Sequence, residues 1–471
     1  MNLPHLDKWI LNYNTSDMTT DISDTYRKSG DCRPTRSQAC DVLVVGGGAT
    51  GLAAAVTSAE QGLRVILLER YGFCGGGAVA GLSGTLCGLY QATKQPGATP
   101  SRLVHGFAAR FLQDLDQRGG LGPAIRYGHT WTHVHDPLMW RETADALIAK
   151  AGVQVLYHAL VVGVLNEGGE RIEGVVASTK EGPLVIRAAV TIDASGDADV
   201  VAMAGWPTVM GANGKVQNPT MIFRLLGVDV ARFLATYGHD TIMPTAVTTL
   251  IQEAQASGAY QLPRQKIWLF PTTRPGELLC NCTRVLGGDG RELNGAIAQD
   301  LSEAEVEGRR QVREYARFFR DRLAGCEQSF VNDTGVQVGI RQTRQGVGVS
   351  VLRNTDVVEG RKCADGVARS PWPIELHSGD KPKVHWLLDD WYEVPYGCFV
   401  PVRGEGLLFA GRCLSAEHEA VASARVTAQC FAYGHAVGHA AAISLRERLP
   451  LRHIDGVDVR SVLNRHGAEL A

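Results

Sequence analysis

The stretch Asp41–Gly77 reads DVLVVGGGATGLAAAVTSAEQGLRVILLERYGFCGGG, and its reading decides the fold. An apolar run, Val42 to Val45, breaks into Gly46-Gly47-Gly48-Ala49-Thr50-Gly51. An alanine-rich segment follows, and a second apolar run, Val65 to Leu68, ends on Glu69. The order strand, glycine turn, helix, strand, acid is that of a dinucleotide-binding βαβ unit. Gly46 permits the tight turn off the strand. Gly48 lacks a Cβ, so backbone N–H groups can approach a pyrophosphate. Gly51 lets the helix pack close to the strand. The pyrophosphate would then sit on the helix N-terminus, where unpaired N–H groups and the helix dipole favour an anion. Glu69 stands at the tip of the second strand, where a carboxylate accepts hydrogen bonds from a ribose diol.

Length and composition set the outer limits. The chain has 471 residues, enough for two or three folding units. Hydrophobic residues make up 45% and charged residues 20%, ordinary values for a globular enzyme. The formal net charge of −2 gives no global field for nucleic acid or an anionic membrane. Arg309 and Arg310 sit among acids and read as one face of a solvated amphipathic helix. The 11 cysteines follow no disulfide rhythm, no apolar run reaches membrane-spanning length, and no secretory leader is visible. A cytoplasmic location with free thiols is therefore expected.

Residues 1–38 are polar and read as a loosely ordered arm. After the βαβ unit comes a glycine cluster, Gly75-Gly76-Gly77, which suggests backbone packed against something bulky. A helix is expected over Ser101–Arg118. Ile125–Pro137 reads as a ring-dense loop, followed by a helix from Pro137 to Ala151 and a short strand at Val153–Tyr157. Val161–Leu165, Gly174–Ser178 and Leu184–Ile186 alternate as a β-meander. Val190–Asp193 then runs as an apolar strand into the small-residue turn Ala194-Ser195-Gly196. From Trp206 to Leu388 strand-like pieces mix with long helical runs at Ala246–Ser257 and Ser302–Leu323. Leu407–Phe409 is another buried strand, ending in Ala410-Gly411-Arg412, and one long small-residue helix is expected over Ala422–Leu445.

The fold expected is α/β. A Rossmann-like FAD-binding domain, a parallel sheet with a β-meander, takes residues 39–205 and 392–450. An inserted mixed α/β substrate domain takes 206–391, and a C-terminal tail takes 451–471. The glycine turn with Glu69, the Asp193–Asp199 turn, and Gly411-Arg412 with its helix together resemble FAD-dependent oxidoreductases of the glutathione-reductase-like fold. The chain is further similar to the FAD-dependent oxidoreductase (FAD_oxidored) family. It resembles that family at Glu69–Gly76, Thr220–Leu225, Val338–Arg344, Val394–Cys398 and Ala410–Ala420. It departs at Gly397, where relatives commonly carry Arg, and at Ala78 or Val79, where they often carry Thr. Both departures concern the substrate side.

The resemblance implies FAD as cofactor, with contacts from Gly46, Gly48, Ala49, Thr50, Gly51, Glu69 and Arg70 in the first unit. Gly76, Gly77 and Val162 are expected to add to these, as are Ala194, Ser195 and Gly196. The late segment would contribute Gly411, Arg412 and Val426. The helix after Arg412 would stabilise negative charge on the reduced flavin.

For the chemistry, His418 is a candidate acid/base, lying between strand end and helix. Arg425 could face the flavin pyrimidine or a substrate carboxylate. Arg341, with Arg344, could clamp a carboxylate or belong to a structural network. Tyr396 is a candidate to cover the flavin or bond the substrate. His129, His133 and His135 lack a completing ligand set, and no metal is expected. Cys74 has no partner at the spacing of a redox pair and reads as a packing residue.

A second glycine fingerprint is missing: Gly346-Val347-Gly348 and Gly287-Gly288-Asp289-Gly290 lack the strand-turn-helix context. The expected activity is oxidation of a small organic substrate at a C–N or C–O bond by hydride transfer to flavin N5. Electrons would pass to O2 or another acceptor. A single-component monooxygenase or C=C reductase using NAD(P)H, and a non-turnover subunit of an electron-transfer complex, are the alternatives. A small-molecule substrate is the expected partner and a homo-oligomer is open; nucleic acid and membrane are not expected.

Overall fold

The structure is a computed structural model, and it describes residues 36–377 and 383–470. The expected N-terminal arm lies outside the described residues up to its last few positions. Strand β1 (Arg36–Val45) is buried on both faces over Val42–Val45, as its unbroken apolar run requires. Helix α1 (Ala49–Glu60) returns to β2 (Val65–Glu69), which pairs parallel to β1 with Val42 opposite Val65. β3 (Gln154–Tyr157) extends the parallel sheet beyond β2. β4 (Leu160–Leu165), β5 (Gly174–Thr179) and β6 (Gly182–Asp193) form the antiparallel meander. The sheet order is β3-β2-β1-β6-β5-β4, and β7 (Leu407–Phe409) joins it parallel to the end of β6.

Side-chain alternation along β1 and β2 assigns the two faces. Val42, Val44, Val65 and Leu67 enter one core, covered by α1 and the late helices. Leu43, Val45, Ile66 and Leu68 enter another, shared with the meander and Trp206. Residues 352–387 also place Leu352, Val367, Ile374 and Leu376 in the first of these cores. The C-terminal segment does the same with Leu451, Val459 and Leu463.

The middle of the chain builds a second antiparallel sheet, in the order Trp268–Pro271, Glu277–Asn281, Phe223–Leu226, Phe330–Thr334. The helix Ala298–Arg322 covers one of its faces. Phe223, Leu225, Leu269, Leu278 and Cys280 point into that core. Ile222, Trp268, Phe270 and Leu279 point the other way, toward Tyr127 and Trp372. This sheet thus presents an aromatic face to the first domain.

Two expectations are corrected. The ring-dense segment after Ile125 is a hairpin, Leu121–Tyr127 paired with Thr130–His135, because its β-branched and aromatic residues alternate around a tight turn at Gly128. His133 is held within it, between the Tyr90 hydroxyl at 2.6 Å and the Gly122 carbonyl at 2.8 Å. The long late helix is two helices, α2 (His418–Ala424) and α3 (Thr427–Glu447), broken where Val426 turns extended. Among the described residues no helix is long and apolar enough to cross a membrane.

Helix α3 lies against α1 through Gly434 and Gly438. A Cβ on Gly434 would overlap the Thr50 carbonyl oxygen, and one on Gly438 would stand 2.9 Å from the Ala54 carbonyl oxygen. The Ser58 hydroxyl bonds the Gly438 carbonyl at 3.4 Å, tying the two helices 380 residues apart. Replacing a mid-helix glycine by alanine gains about 1 kcal/mol of helix propensity. Overlap with fixed backbone costs about 1–3 kcal/mol or more and outweighs it. Gly434→Ala is therefore expected to lower the thermal midpoint, read by circular dichroism. Gly288→Ala, whose Cβ would meet nothing nearer than 3.8 Å, is expected to leave the midpoint in place.

Candidate functional site

The start of α1 is an open anion cradle. At Gly46 the backbone takes φ +97° to leave β1, and a Cβ there would stand 2.6 Å from the Ala194 carbonyl oxygen. A Cβ on Gly51 would overlap the Gly46 carbonyl, so the helix rests directly on the strand end. Gly48 differs: its nearest atom beyond the turn is Gly76 Cα, 3.8 Å from where a Cβ would be. Gly48, Ala49 and Thr50 line a deep cavity. Helix α1 has no side-chain N-cap and no acid in its first turn. Its first N–H groups are left for an anion in the cavity.

Glu69 lines the same end, 4% exposed. Its carboxylate accepts the Gly47 N–H at 2.7 Å and the Tyr71 N–H at 2.8 Å, while burial pushes its pKa up. Arg70 lines the cavity and donates to Gln337 Oε1 at 2.5 Å. The expectation at Val162 is corrected. Val162 is 39% exposed and outside the cavity, whereas Ala159, Leu160 and Val161 form the wall. Val162 sits where the pairing of its strand slips, between Val161 and Gly163, just beyond the end of that wall. Cys74 packs under the turn, where a Cβ on Gly47 would stand 2.6 Å from its sulfur. Burial, then the charge of Glu69, pushes that thiol up to about 12.

The middle of the cavity joins three distant segments. Asp193, fully buried, accepts N–H bonds from Ser195 at 3.0 Å and Val200 at 2.9 Å, which shapes the Ala194-Ser195-Gly196 turn. Arg412 lies against Gly196 and donates to Asp197 at 2.8 Å, while its buried Nη1 has no protein partner. Gly411 meets Thr50 of α1, with a Cβ there 2.7 Å from its hydroxyl oxygen. Gly76 and Gly77 line the opposite side. The break between α2 and α3 places Arg425, Val426 and Thr427 on the cavity wall, with no side-chain cap on α3.

The inner end is a polar chamber under the aromatic sheet face, lined by Tyr127, Trp372, Glu375, His377, Arg341 and Arg425. The Tyr127 hydroxyl reaches both Glu375 oxygens at 3.0 Å. His377 Nε2 lies 3.4 Å from Glu375 Oε1, and Arg264 Nη2 lies 3.5 Å from His377 Nδ1. Burial, then the charges of Arg341, Arg264 and Arg425, holds His377 far below the usual imidazole range. These surroundings favour the neutral imidazole, and Glu375 stands where it can orient the ring.

Of the candidates for chemistry, Arg341 and Arg425 are brought together here, and two are not. Tyr396 is buried away from the cavity and donates to the Leu451 carbonyl at 3.0 Å. His418 opens α2 outside the cavity lining, its Nδ1 buried without a protein partner. Arg344 leaves the proposed clamp for Asp199, at 2.5 Å. Glu375 and His377 went unread in the sequence. Their one local signal is a spacing of two on an extended segment, which puts both side chains on one face.

The model of the family described as FAD dependent oxidoreductase matches residues 41–463. A 4-oxocyclohex-2-ene-1-carboxylate 5-dehydrogenase of Sinomonas cyclohexanicum is 60% identical over 38 residues, which cover 8% of this chain and 6% of that protein. Among solved structures, a geranylgeranyl bacteriochlorophyll reductase-like protein from Thermoplasma acidophilum is 15% identical, with TM-score 0.48, covering 91% of this chain and 83% of its own. The p-nitrophenol 4-monooxygenase of Pseudomonas putida is 13% identical, with TM-score 0.47, covering 92% and 86%. The L-proline dehydrogenase of P. horikoshii is 12% identical, with TM-score 0.41, covering 91% and 99%.

The two glycines of the turn predict opposite failures. Gly48→Val should fold, because its Cβ enters open space, yet retain little FAD, because the side chain fills the cradle. Gly51→Val should yield little folded protein, because its Cβ collides with the backbone of Gly46. Visible absorbance per folded chain, with circular dichroism, separates the two.

Proposed function

The chain belongs to the family of FAD dependent oxidoreductases, and on that premise we propose that it oxidises a small organic substrate at a C–O or C–N bond. The observation that carries this reading is the continuity of the cavity. It runs from the glycine turn and Glu69 to a chamber holding Glu375, His377 and Tyr127. A cofactor anchored at the first end leaves the second for a substrate and its proton.

The residues fit the cofactor. The uncapped start of α1 would hold the pyrophosphate, Glu69 the adenosine ribose, and the Gly196–Arg412 contact with the start of α3 the flavin half. FAD supplies a hydride acceptor when bound there. The protein excludes water with Trp372, Phe270 and Ile222 and supplies a proton acceptor. Removing hydride from a CH–OH or CH–NH group also releases the O–H or N–H proton. The Glu375–His377 pair is the group we assign to take it, with Tyr127 fixing the carboxylate. With the imidazole disfavoured as a cation by burial and the nearby arginines, the Glu375 carboxylate is the member of the pair that bears the proton, and His377 orients it.

Mixing candidate alcohols and amines with the FAD-loaded protein without oxygen tests the reading. Bleaching of the flavin by a substrate alone supports it, whereas bleaching by NAD(P)H alone, or by neither, overturns it. With a bleaching substrate, Glu375→Gln and His377→Gln should each slow the bleaching rate by about 10²–10⁴-fold while FAD content holds. The pH profile has a definite sign. An imidazole with depressed pKa stays neutral as pH falls, so the wild-type rate should hold through the region of about 6.5, where an ordinary imidazole would turn it down. Rapid-mixing rates across this window decide it.

A further inference from the structure

Among the described residues, three arginines surround the inner chamber without a carboxylate partner in hydrogen-bond reach. Arg264 is 3% exposed and Arg341 is 7% exposed, and Arg425 opens only onto the cavity. Arg341 donates to the Asn218 carbonyl at 2.8 Å and to Asn281 Oδ1 at 3.4 Å. Arg264 donates to the same Asn281 oxygen at 3.1 Å and lies over the Trp268 ring at 4.3 Å. Arg425 donates to Gln217 Oε1 at 3.1 Å, and its buried Nε has no protein partner. Every one of these acceptors is neutral. Among the described residues the acid facing all three is Glu375, and its oxygens are engaged by Tyr127 and His377.

The chain pairs its other arginines in this region differently. Arg224 is clamped by Asp333 and Glu277, Arg412 by Asp197 and Arg344 by Asp199. Among the described residues, three guanidinium groups against one carboxylate leave a surplus of two positive charges around the chamber. A buried unpaired charge is costly, and arginine does not escape by losing its proton. Burial depresses all three pKa values, Arg425 to about 10, and the charges of Arg264 and Arg425 add to the depression of Arg341; a guanidinium in a protein nonetheless keeps its proton. The partner that balances them has to come with a ligand.

We propose that the substrate is an organic acid whose carboxylate is held by Arg341 and Arg425, in front of Arg264. This rests on the oxidoreductase reading only in calling the ligand a substrate. The two guanidinium groups at the wall supply forked donors that match a planar carboxylate. Tyr127, Trp372 and Phe270 offer apolar surface to the rest of the molecule. The carboxylate is recognised without being consumed. When a CH–OH group of the acid is oxidised, the C–H pair leaves as hydride to FAD. The O–H proton passes to the Glu375–His377 pair, and the C–O bond becomes C=O.

The test titrates FAD-loaded protein with lactate, malonate, succinate and benzoate, and with the corresponding amides, chloride and inorganic phosphate. Tryptophan fluorescence and flavin absorbance report binding without turnover. At least one acid should bind, its amide about 10- to 100-fold more weakly. Arg341→Gln and Arg425→Gln should each weaken the acid by a similar factor, and Arg341→Lys should restore part of it. Indifference to every acid, equal binding of acid and amide, or the same response to chloride or phosphate overturns the proposal. So does unchanged acid affinity in both glutamine variants. Acid binding by a protein that never takes up FAD would sink the cofactor reading alone.

Discussion

The grip of backbone on helix α1 is the constraint from which the remaining architecture follows. The Gly46 carbonyl meets α1 at Gly51, Gly411 meets it at Thr50, and α3 meets it at Gly434 and Gly438. At Gly51, Gly434 and Gly438 the nearest atom is a backbone oxygen, and at Gly411 it is the Thr50 hydroxyl. The helix start is therefore fixed by main-chain contacts and one short β-branched side chain, which leave little room to absorb a shift. An anion site made of peptide N–H groups needs this rigidity, because its donors are useful only where they already point. The same grip carries β7 and the α2–α3 break to the cavity and so sets where Arg412 and Arg425 stand.

The cavity uses two kinds of positive charge. At the glycine turn the field comes from helix peptides, partial charges that need no counter-ion when the site is empty. At the inner end it comes from whole charges on Arg264, Arg341 and Arg425, set on neutral acceptors. The first suits an anion whose position the fold dictates. The second suits an anion recognised by shape and sign, with Glu375 keeping the surplus from growing larger. Between them Arg412 is paired with Asp197 at 2.8 Å.

Legibility in the sequence follows from how local each cause is. The glycine turn, β2 and Glu69 were readable because each obeys a short-range rule of sterics or periodicity. The Gly411-Arg412 strand end was readable as a resemblance, and it does meet the first unit. The wall ends one residue before Val162, at an irregularity of the strand pairing that no local pattern announces. Tyr396 and His418 were chosen for chemical type near a motif. Their partners, Leu451 and the surroundings of α2, depend on packing that no neighbouring residue encodes. Glu375 and His377 acquire their meaning only beside Arg264, Arg341 and Tyr127, which three separate segments supply. The α2–α3 break was hidden because Arg425 and Val426 carry no helix-stopping signal of their own.

Strand β7 pairs with the end of β6, and α3 closes over α1. The first unit of the cofactor site thus leaves the ribosome long before the pieces that complete it. During synthesis the opening βαβ unit waits, its sheet edge and the outer surface of α1 uncovered, while the whole second sheet is made. Loop closure on this scale joins the last part of the chain to the first. Retention of the nucleotide consequently waits on the late segments, and the glycine contacts on α1 are the latch that α3 engages.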